Sequence, residues 1–581
     1  MALNLPLKKI PTELSIPREH SVIVYKHNNN DYAKNENGSI ICQNSQTACI
    51  QEAINYLKQF GGGKILVKKG TYRPTSTINI PDDINLIIEG EGNNTVFKYT
   101  DPFILFLHLP TANNKWSSVL IFKNMKIDRT GSDTNNATVF YTSYAKYVKY
   151  ENIEIVDEYR DTHGDIGIYG YNNFAAIAEK NRIYNKGGGI GLYGHIAVLK
   201  ENYVQNTAKA GIIGGGYLPN YAAPPGYYGG ITIIENNICI DCGITDEAIS
   251  VDYWTTNPVQ EAIAIIRNNL ILSKTAAINI PIQIVNVSQT IIENNKIYGS
   301  TKYYAIYCAL SRYTNHITLR NNIIDIRPNR DSMGIQLASR NITIENNDIR
   351  IISNLPQNLS HIVELWTTNL IFKNNRITVT TPSNFYTGYA LIHRALETTN
   401  AYSLVSDNII NVPVNPSLTI ATLFYITLEV VTTVYFERNY IKSTTLQNYF
   451  TGFSSTANTI YRAYVNKNVV DGILSNKIRV YNSNVNATTT LIIDTDAEIV
   501  SCPNCVVKFP KRSSGTATIN SGATRITVNH NLISAPSKVL ITPLGQPAGK
   551  LWIEDINKTS FDIVTDTAPS TNLNIAWYAE I

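Results

Sequence analysis

The stretch ITIIENNICI, residues 231–240, places a pair of asparagines between two runs of aliphatic residues. Close copies begin at 263 (IAIIRNNLIL), 290 (TIIENNKIYG), 317 (ITLRNNIIDI), 342 (ITIENNDIRI) and 370 (LIFKNNRITV). The flanking residues are β-branched and alternate, without the three-and-four spacing of an amphipathic helix. The repeat therefore predicts short strands that meet at a corner containing asparagine.

The second asparagine of each pair marks a ladder whose steps are unequal, from 16 residues (468 to 484) to 35 residues (202 to 237). Its members are Asn181, Asn202, Asn237, Asn269, Asn295, Asn322, Asn347, Asn375, Asn408, Asn439, Asn468 and Asn484. Helical repeats keep a tighter period, whereas a coil of three strands tolerates turns of variable length. Asn accepts a left-handed backbone, and its amide can bond the next coil about 4.8 Å away. We therefore predict an all-β chain whose main part is a right-handed parallel β-helix.

The residue before each asparagine pair is often charged, and its sign alternates along the chain. These residues are Glu235, Arg267, Glu293, Arg320, Glu345 and Lys373. We interpret them as a solvent-facing coat rather than as catalytic groups. Two earlier segments have Met125 and Ile153 at the second-asparagine position, so the ladder is expected to start after them.

Composition excludes several classes of partner. Charged residues make up 16%, the net charge is +4, and no dense Lys/Arg cluster occurs, so we expect no nucleic acid or anionic membrane partner. The sequence contains neither a signal-peptide pattern nor a long apolar run, so neither secretion by the general route nor membrane insertion is expected. The CxxC pairs at 239/242 and 502/505 lack a second ligand pair nearby. We predict no metal and no cofactor. Cys239 and Cys242 are expected to be buried in the wall of strands. Cys502 and Cys505 could form a disulfide within the chain or between subunits, and the sequence does not decide between the two.

Residues 47–60 (TACIQEAINYLKQF) have apolar residues at 50, 53, 54 and 57, which predicts a helix that ends at the three glycines 61–63. Strands KILVKKGTY, STINI and INLIIEGEG follow. A capping helix, a glycine turn, a strand ending in GTY and a later G-x-G resemble the first coil of the pectin-lyase-like superfamily. The segment IVYKHNNNDYAKNENGSII, residues 23–41, resembles the opening of archaeal and viral β-helix proteins.

This resemblance covers roughly residues 23–500 and implies the fold, which hosts lyases, hydrolases and adhesins alike. The NTD, DD, GHG and RIK motifs of polygalacturonases are not found together here, and the calcium and arginine motifs of pectate lyases are not recognisable. Pectin-type catalysis is therefore not implied by the resemblance.

Residues 515–581 contain five or six alternating strands without asparagine corners, which predicts a small antiparallel β-sandwich. Their layout resembles the H-type-lectin-like modules at the ends of tail fibres, which commonly trimerise; Trp552, Phe561 and Trp577 fit either a core or a sugar platform. The predicted domains are a tail (1–22), a capping region with the first coils (23–100), the β-helix (101–500), a linker (501–514) and the sandwich (515–581).

In the family resembled, the active groove usually follows the outside of one sheet, here the strands that precede the corner segments. Glycoside hydrolysis requires two carboxyls about 5 to 9.5 Å apart, hence on one coil or adjacent coils. Asp252 and Glu364 are predicted four coils, or about 19 Å, apart and cannot form one pair. The candidate catalytic residues are Asp246, Glu247 and Asp252 on one coil, and Glu364 facing Glu397 or Asp331 on another. The alternative is that these carboxylates are only solvated. The other residues predicted to face outward from the strands that precede the corners are Asp165, Tyr169, Tyr193, Gln336 and Trp366.

Aromatic residues are the second indication of sugar binding, because their flat faces suit pyranose rings. The candidates are Trp254, Trp366 and four tyrosines of the insertion at 214–230, namely Tyr217, Tyr221, Tyr227 and Tyr228. The insertion could equally pack against a neighbouring subunit.

Together these features predict a virion surface spike or tail-fibre protein, of an archaeal virus by resemblance. We expect a homotrimer that binds host-cell surface glycans, with its N-terminal tail attached to other virion proteins and with a polysaccharide-depolymerising activity as an additional hypothesis. The alternatives are an extracellular polysaccharide lyase or glycoside hydrolase and a cellular adhesin. The missing signal peptide favours the virion class.

Overall fold

A computed structural model describes most of the chain. The described residues are 20–110, 116–130, 138–157, 166–216, 230–253, 262–308, 314–328, 334–352, 359–380, 387–394, 401–411, 422–428, 432–443, 449–455, 461–466, 468–472, 477–482, 489–493, 498–501, 505–508 and 511–581. The chain forms two compact units, 1–366 with 379–385 and 367–378 with 386–581. Each unit is described by itself.

The first unit is a parallel β-helix in which each coil adds one strand to each of three sheets. Sheet 1 contains Ile78–Asn79, Phe106–His108, Phe140–Ser143, the first parts of Ile166–Glu179 and Gly188–Lys200, then Ile212–Gly215, Glu247–Asp252, Ile280–Val285, Ile306–Cys308, Ile335–Ala338 and Leu359–Trp366. Sheet 2 contains Ser21–His27, Gly62–Val67, Asn85–Gly90, the first parts of Val119–Arg129 and Tyr147–Asp157, the second parts of Ile166–Glu179 and Gly188–Lys200, then Ile231–Glu235, Ile263–Arg267, Gln289–Glu293, His316–Arg320 and Asn341–Glu345.

Sheet 3 follows the asparagine corner. It contains Gly70–Tyr72, Thr95–Lys98, the second parts of Val119–Arg129 and Tyr147–Asp157, then Arg182–Tyr184, Tyr203–Gln205, Ile238–Ile240, Leu270–Leu272, Lys296–Thr301, Ile323–Pro328 and Asp348–Ile352. A coil therefore runs from sheet 1 to sheet 2, through the corner and into sheet 3. The predicted parallel β-helix is confirmed.

The interior is built from identical side chains stacked in register. On sheet 1 the aligned inward residues are Ile212, Ile249, Ile282, Ile306 and Ile335, all fully buried. Burying one such side chain contributes about 1.5–3 kcal/mol, and a β-branched residue suits a pleated surface. The alternating aliphatic pattern of the sequence therefore has its cause in this stacked core.

The corner asparagines form a continuous hydrogen-bonded ladder from Asn181 to Asn347. Asn269 shows the pattern: its Nδ2 donates to Asn295 Oδ1 (3.0 Å) and to the Ile234 carbonyl (2.9 Å). Its Oδ1 accepts from the backbone N–H and the Nδ2 of Asn237, at 2.9 and 3.0 Å. Asn269 is 1% exposed. All four hydrogen-bonding positions of the buried amide are thus satisfied, as burial of a polar group requires.

The left-handed backbone belongs to the first residue of each pair, not to the ladder asparagine. Asn236 and Asn268 have φ of 58° and 57°, and Lys180 and Glu201 have the same conformation where no first asparagine is present. The corner thus divides two tasks that the sequence analysis had assigned to one residue. Asn484 lies outside the described residues.

The ladder begins where predicted, because Met125 and Ile153 are buried apolar residues at the equivalent corners. Asn181 Oδ1 accepts the Ile153 backbone N–H at 3.0 Å and so starts the chain of amides. The early coils are instead filled by a cluster of rings with centroids 5.0–5.8 Å apart. Its members are Tyr72, Phe97, Phe106, Phe122, Phe140 and Tyr150.

The N-terminal cap is the helix Ile50–Lys58, which buries Ile50, Ala53, Ile54 and Leu57 as predicted. The 3-10 turn Gly92–Asn94 follows later, at the corner of an early coil. Strands Asn30–Asn35 and Ile40–Gln43 pair antiparallel beside Ser21–His27. A disulfide joins Cys42 to Cys49 at the helix start, a link that the sequence analysis did not anticipate. Cys239 and Cys242 are buried free thiols, as predicted. Cys502 lies outside the described residues, and so does the side chain of Cys505.

The second unit repeats the three-sheet pattern and then changes architecture. Its β-helical strands are Asn369–Lys373, Arg376–Thr380, Thr387–Arg394, Ala401–Ser406, Ile409–Asn411, Thr422–Leu428, Thr432–Glu437, Tyr440–Ser443, Tyr449–Ser455, Tyr461–Asn466, Val469–Gly472, Lys477–Asn482, Thr489–Ile493, Glu498–Ser501 and Cys505–Lys508. The ladder there links Asn375, Asn408, Asn439 and Asn468, with Nδ2 to Oδ1 distances of 2.8–3.1 Å.

The C-terminal sandwich has two antiparallel sheets, with strand orders Arg512–Ile519, Leu573–Glu580, Lys538–Pro543 and Arg525–Asn529, Ser560–Thr565, Leu551–Glu554. Phe561 and Trp577 belong to its core, whereas Trp552 is 38% exposed and donates through Nε1 to Glu554 Oε1 at 2.6 Å. The predicted sandwich is confirmed. The predicted domain boundaries stay a prediction. No helix in the described ranges has the length and apolarity needed to cross a membrane.

Candidate functional site

The charges beside the asparagine corner form cross-coil ion pairs on the outer face. Arg267 Nη2 lies 2.6 Å from Glu235 Oε2, and Arg320 Nη2 lies 2.6 Å from Glu293 Oε2. The arginine side chains are 42% and 43% exposed. These residues face outward as predicted, but they pair with one another rather than only with water. The carboxylates of Glu235 and Glu293 are thus held in ion pairs rather than left free to react.

The outer side of sheet 1 has a different character. Strand pairing aligns one outward position on successive coils, and its polar or aromatic members define what we call the polar strip. They are Tyr141, Tyr169, Ser250, Gln283, Tyr307, Gln336 and Glu364, with Gly191 and Ile213 between Tyr169 and Ser250. Eight coil steps separate the first from the last, or about 38 Å. Five of these residues are partly exposed and offer ring or hydrogen-bonding surfaces along one line, namely Tyr141, Tyr169, Gln283, Tyr307 and Gln336. Ser250 and Glu364 are buried.

Glycines of sheet 1 make room for the tyrosine rings and for the backbone of the next coil. A Cβ at Gly215 would lie 2.1 Å from the Asp252 carbonyl oxygen and 3.0 Å from the Tyr193 ring. A Cβ at Gly191 would lie 3.2 Å from the Tyr169 ring. The Tyr169 ring contacts Tyr141 and Tyr193, with centroids 5.4 and 6.0 Å apart. The sequence GIGLYG and GIIGGGY therefore reflects close approach on this sheet.

Three predicted carboxyls interact on one coil. Glu247 and Asp252 begin and end the same strand, and Asp246 immediately precedes it. Burial, a hydrogen bond to Asp246 and the charges of Asp246 and Asp252 raise the pKa of Glu247 to about 9. Asp252 is 7% exposed and accepts a 2.7 Å hydrogen bond from the Ser250 hydroxyl. The structure thus brings Asp246, Glu247 and Asp252 together electrostatically, as their predicted shared coil requires.

Tyr193 shares a register column with Asp252, and Gly215 occupies the coil between them. Burial raises the pKa of its hydroxyl well above the usual value, and Asp252 is the next largest cause, followed by Tyr169, Asp246 and Glu247. Tyr193 is therefore a neutral donor at any physiological pH. Glu247 thus keeps its proton at neutral pH, as a general acid requires.

A second polar cluster lies four coils further along the strip. Gln336 Nε2 donates to Glu364 Oε2 at 2.8 Å, and Glu364 is 4% exposed. The Tyr304 and Tyr307 rings stack with centroids 5.0 Å apart and an interplanar angle of 15°. Burial raises the pKa of Tyr304, with the charges of Tyr307 and Glu364 as further causes. Trp366 is half-buried two residues beyond Glu364. This cluster resembles a binding subsite more than a pair of reacting carboxyls.

Register confirms that Asp252 and Glu364 belong to different clusters, since Ser250, Gln283, Tyr307, Gln336 and Glu364 occupy successive coils. Several predicted site residues lie outside the described residues: Asp165, Tyr217, Tyr221, Tyr227, Tyr228, Trp254, Asp331 and Glu397. Five residues of the strip and its clusters were not predicted from the sequence, namely Tyr141, Ser250, Gln283, Tyr304 and Tyr307. Aligning the strands backward from each asparagine corner would have found most of them.

No group of three or more His, Cys, Asp or Glu side chains among the described residues is arranged to hold a metal ion. No protein-family model matches the sequence, and no curated protein matches it. Among solved structures, the chain is similar to a tailspike of E. coli bacteriophage HK620 in complex with a hexasaccharide, at 11% identity and a TM-score of 0.39 over 94% of this chain and 91% of that one.

Two further solved structures are similar at the same level. The tailspike of Pseudomonas phage LKA1 has 10% identity and a TM-score of 0.34 over 91% of this chain and 92% of that one. The A-module of an Azotobacter vinelandii mannuronan C-5 epimerase has 13% identity and a TM-score of 0.28 over 79% and 95%. At these TM-scores the similarities identify neither a family nor a function for this chain.

Proposed function

We propose that this protein is a virion surface spike that binds host-cell surface glycans along the polar strip of sheet 1. The observation that carries the proposal is the register of the strip, in which Gln283, Tyr307, Gln336 and Glu364 follow one another on four successive coils. A polysaccharide is a linear ligand that repeats hydrogen-bonding groups and apolar ring faces, and a row of such side chains complements it.

The strip also contains polar side chains that are exposed enough to contact a ligand. Gln283, Tyr307 and Gln336 are partly exposed, whereas Glu364 on the next coil is buried and accepts a hydrogen bond from Gln336. A glycan would contact the tyrosine rings and the amides directly. The buried carboxylate would orient Gln336, since a charged acceptor holds a donor more firmly than a neutral one.

Binding is tested on a glycan array, followed by titration of the best ligand against two glutamine variants of one coil. Gln283→Ala removes an amide from the strip, whereas Gln289→Ala removes an exposed amide from sheet 2. We expect about a 5- to 10-fold loss of affinity for the first variant and none for the second. Equal affinities for both variants and the wild-type protein would exclude the strip as the glycan site.

A second function, cleavage of the bound polysaccharide, is favoured by the state of Glu247. A carboxyl that remains protonated to about pH 9 can act as general acid. We assign that role to Glu247, whose pKa is raised by burial, by its hydrogen bond to Asp246 and by the charges of Asp246 and Asp252. Incubation with surface polysaccharide distinguishes the enzyme classes, because a hydrolase releases reducing ends without unsaturation and a lyase leaves unsaturated uronates.

The assembly and setting of the spike belong to the same proposal. It would be a homotrimer of an archaeal virus. The lectin-like sandwich 515–581 would contribute to trimerisation or sugar binding, and the tail 1–22 would attach to other virion proteins. Sedimentation equilibrium measures the trimer. Labelling of purified virions separates a spike from the two alternatives, a free polysaccharide-degrading enzyme and a cellular adhesin, because only a spike copurifies with the particle.

A further inference from the structure

A shallow groove follows the outside of the asparagine corner in the first unit, on the side of sheet 3. It consists of two hollows of about 430 and 670 Å³, a size typical of ligand sites. The first hollow reaches the turn at 91–94, and the second reaches Tyr203, Asn236 and Ile238. Both hollows are lined by Asn152, Lys180 and Arg182. These three residues therefore lie in the middle of the groove, far from the polar strip on sheet 1.

Lys180 and Arg182 are exposed cations without a carboxylate partner in the described part of the chain. Other cations along the same corner are paired: Lys126 Nζ lies 2.8 Å from Glu154 Oε1, and Lys200 Nζ lies 2.8 Å from Glu179 Oε2. Glu154, which is the coil neighbour of Arg182, is already engaged by Lys126 and by Asn93 Nδ2 (3.1 Å). Glu91 and Glu154 also line the groove, but they are paired with Lys68 and Lys126. In the described part of the chain the groove therefore contains two cations without an ion pair, Lys180 and Arg182, and one such carboxylate, Glu201 in the larger hollow.

Aromatic rings and amides surround this charge. Tyr203 is the coil neighbour of Arg182, and its ring centroid lies 5.5 Å from that of Tyr184. Both rings are half-buried and form one wall of the larger hollow. Asn152 and Asn236 add exposed amides at the corner. Ring faces, amides and unpaired cations are the side chains that recognise a sugar chain bearing negative groups.

We propose that this groove is a second saccharide site, specific for an anionic glycan whose carboxylate or sulfate is held by Lys180 and Arg182 while an adjoining sugar packs on Tyr203. The proposal shares with the proposed function only the premise that the ligand is a glycan. It concerns other residues on another sheet. Such a site would allow the spike to bind a charged polysaccharide at the groove while another segment of polysaccharide is bound at the polar strip.

The test uses the full-length protein and three polymers of known charge. Oligogalacturonate carries carboxylates, dextran sulfate carries sulfates, and dextran is neutral. We expect the wild-type protein to bind at least one anionic polymer, and Lys180→Gln and Arg182→Gln each to weaken that binding about 10-fold. The matched control is Lys296→Gln, because Lys296 is exposed and lies in the same register column of sheet 3 as Arg182, beyond the groove. The control is expected to bind like the wild type.

Three outcomes overturn this proposal: no binding of either anionic polymer by the wild-type protein, unchanged binding by both groove variants, or an equal loss in Lys296→Gln. Comparison of the two anionic polymers identifies which anionic group the groove prefers. Gln283→Ala separates the two proposals, because it is expected to leave binding at the groove unchanged. If the anionic polymers bind at the groove but no glycan loses affinity in Gln283→Ala, only the proposal for the strip is contradicted. If a glycan loses affinity in Gln283→Ala but no anionic polymer binds at the groove, only the proposal for the groove is contradicted.

Discussion

The asparagine corner and the outer side of sheet 1 belong to the same coils but solve opposite problems. At the corner, each buried amide has its donors and acceptors matched by the coils on either side, and each outer charge tends to have an opposite partner. On sheet 1, carboxyls of like charge are grouped, and Glu247 retains its proton to about pH 9. The corner is a place where polar groups stabilise the fold, and the sheet is a place where they stay available for chemistry.

The difference shows how this fold separates stability from function. A buried asparagine amide whose hydrogen bonds are made by the equivalent amides of the neighbouring coils stabilises the fold. A buried carboxyl beside another carboxyl opposes folding, because burial and charge repulsion both disfavour its ionised form. Perturbed groups of this kind tend to mark functional sites.

The largest expected effect is on catalysis. Glu247→Gln removes the proton donor while keeping the size of the side chain, and we expect polysaccharide cleavage to fall about 100-fold or more. Release of reducing ends at pH 7 measures it. Glu235→Gln is the control, because that carboxylate is paired with Arg267 at the corner and should not affect the rate. Full activity in Glu247→Gln would remove this coil from the mechanism.

The next effect is on the corner. Asn269→Ala leaves the Asn237 N–H groups and the Ile234 carbonyl without their buried partner. We expect a loss of about 3 kcal/mol in the free energy of unfolding, seen as a lower thermal midpoint and faster inactivation. Asn268→Gly is the control, because Asn268 has φ of 57° and is exposed, and glycine accepts that backbone. A similar loss in both variants would mean that the turn, not the ladder, stabilises the corner.

The sequence predicts the corner better than the site because the corner repeats. Asn269 is recognisable from its copies, and the β-helix, the cap and the sandwich follow from patterns that recur or are local. Glu247 is a single residue, and nothing in its neighbours along the chain reveals that burial and Asp246 raise its pKa. Tyr304 and Tyr307 were missed for a related reason. Their meaning comes from Gln336 and Glu364 on later coils, and that alignment requires the strand register.

A smaller effect concerns pH. The pKa of Glu247 is raised from 4.5 to about 9 on folding, so its contribution to stability is complete below pH 4.5 and is lost as the pH rises toward 9. The wild-type protein should therefore lose stability relative to Glu247→Gln over this range. We expect the variant to gain roughly 1–3 °C in thermal midpoint between pH 5 and pH 8. Parallel midpoints for the two proteins at all pH values would show that Glu247 ionises normally.

The smallest effect belongs to the outer charges of the corner. Arg267→Gln breaks the contacts of Nε (2.7 Å) and Nη2 (2.6 Å) with Glu235, in a pair whose arginine is 42% exposed. Solvent screens such pairs, so we expect a change of at most about 0.5 kcal/mol in the free energy of unfolding, which disappears in about 1 M salt. Chemical denaturation at low and high salt measures both. A loss of unfolding free energy as large as that of Asn269→Ala would mean that the surface ion pairs stabilise the corner as much as its buried amides do. The corner would then differ from sheet 1 only in that its charges are paired.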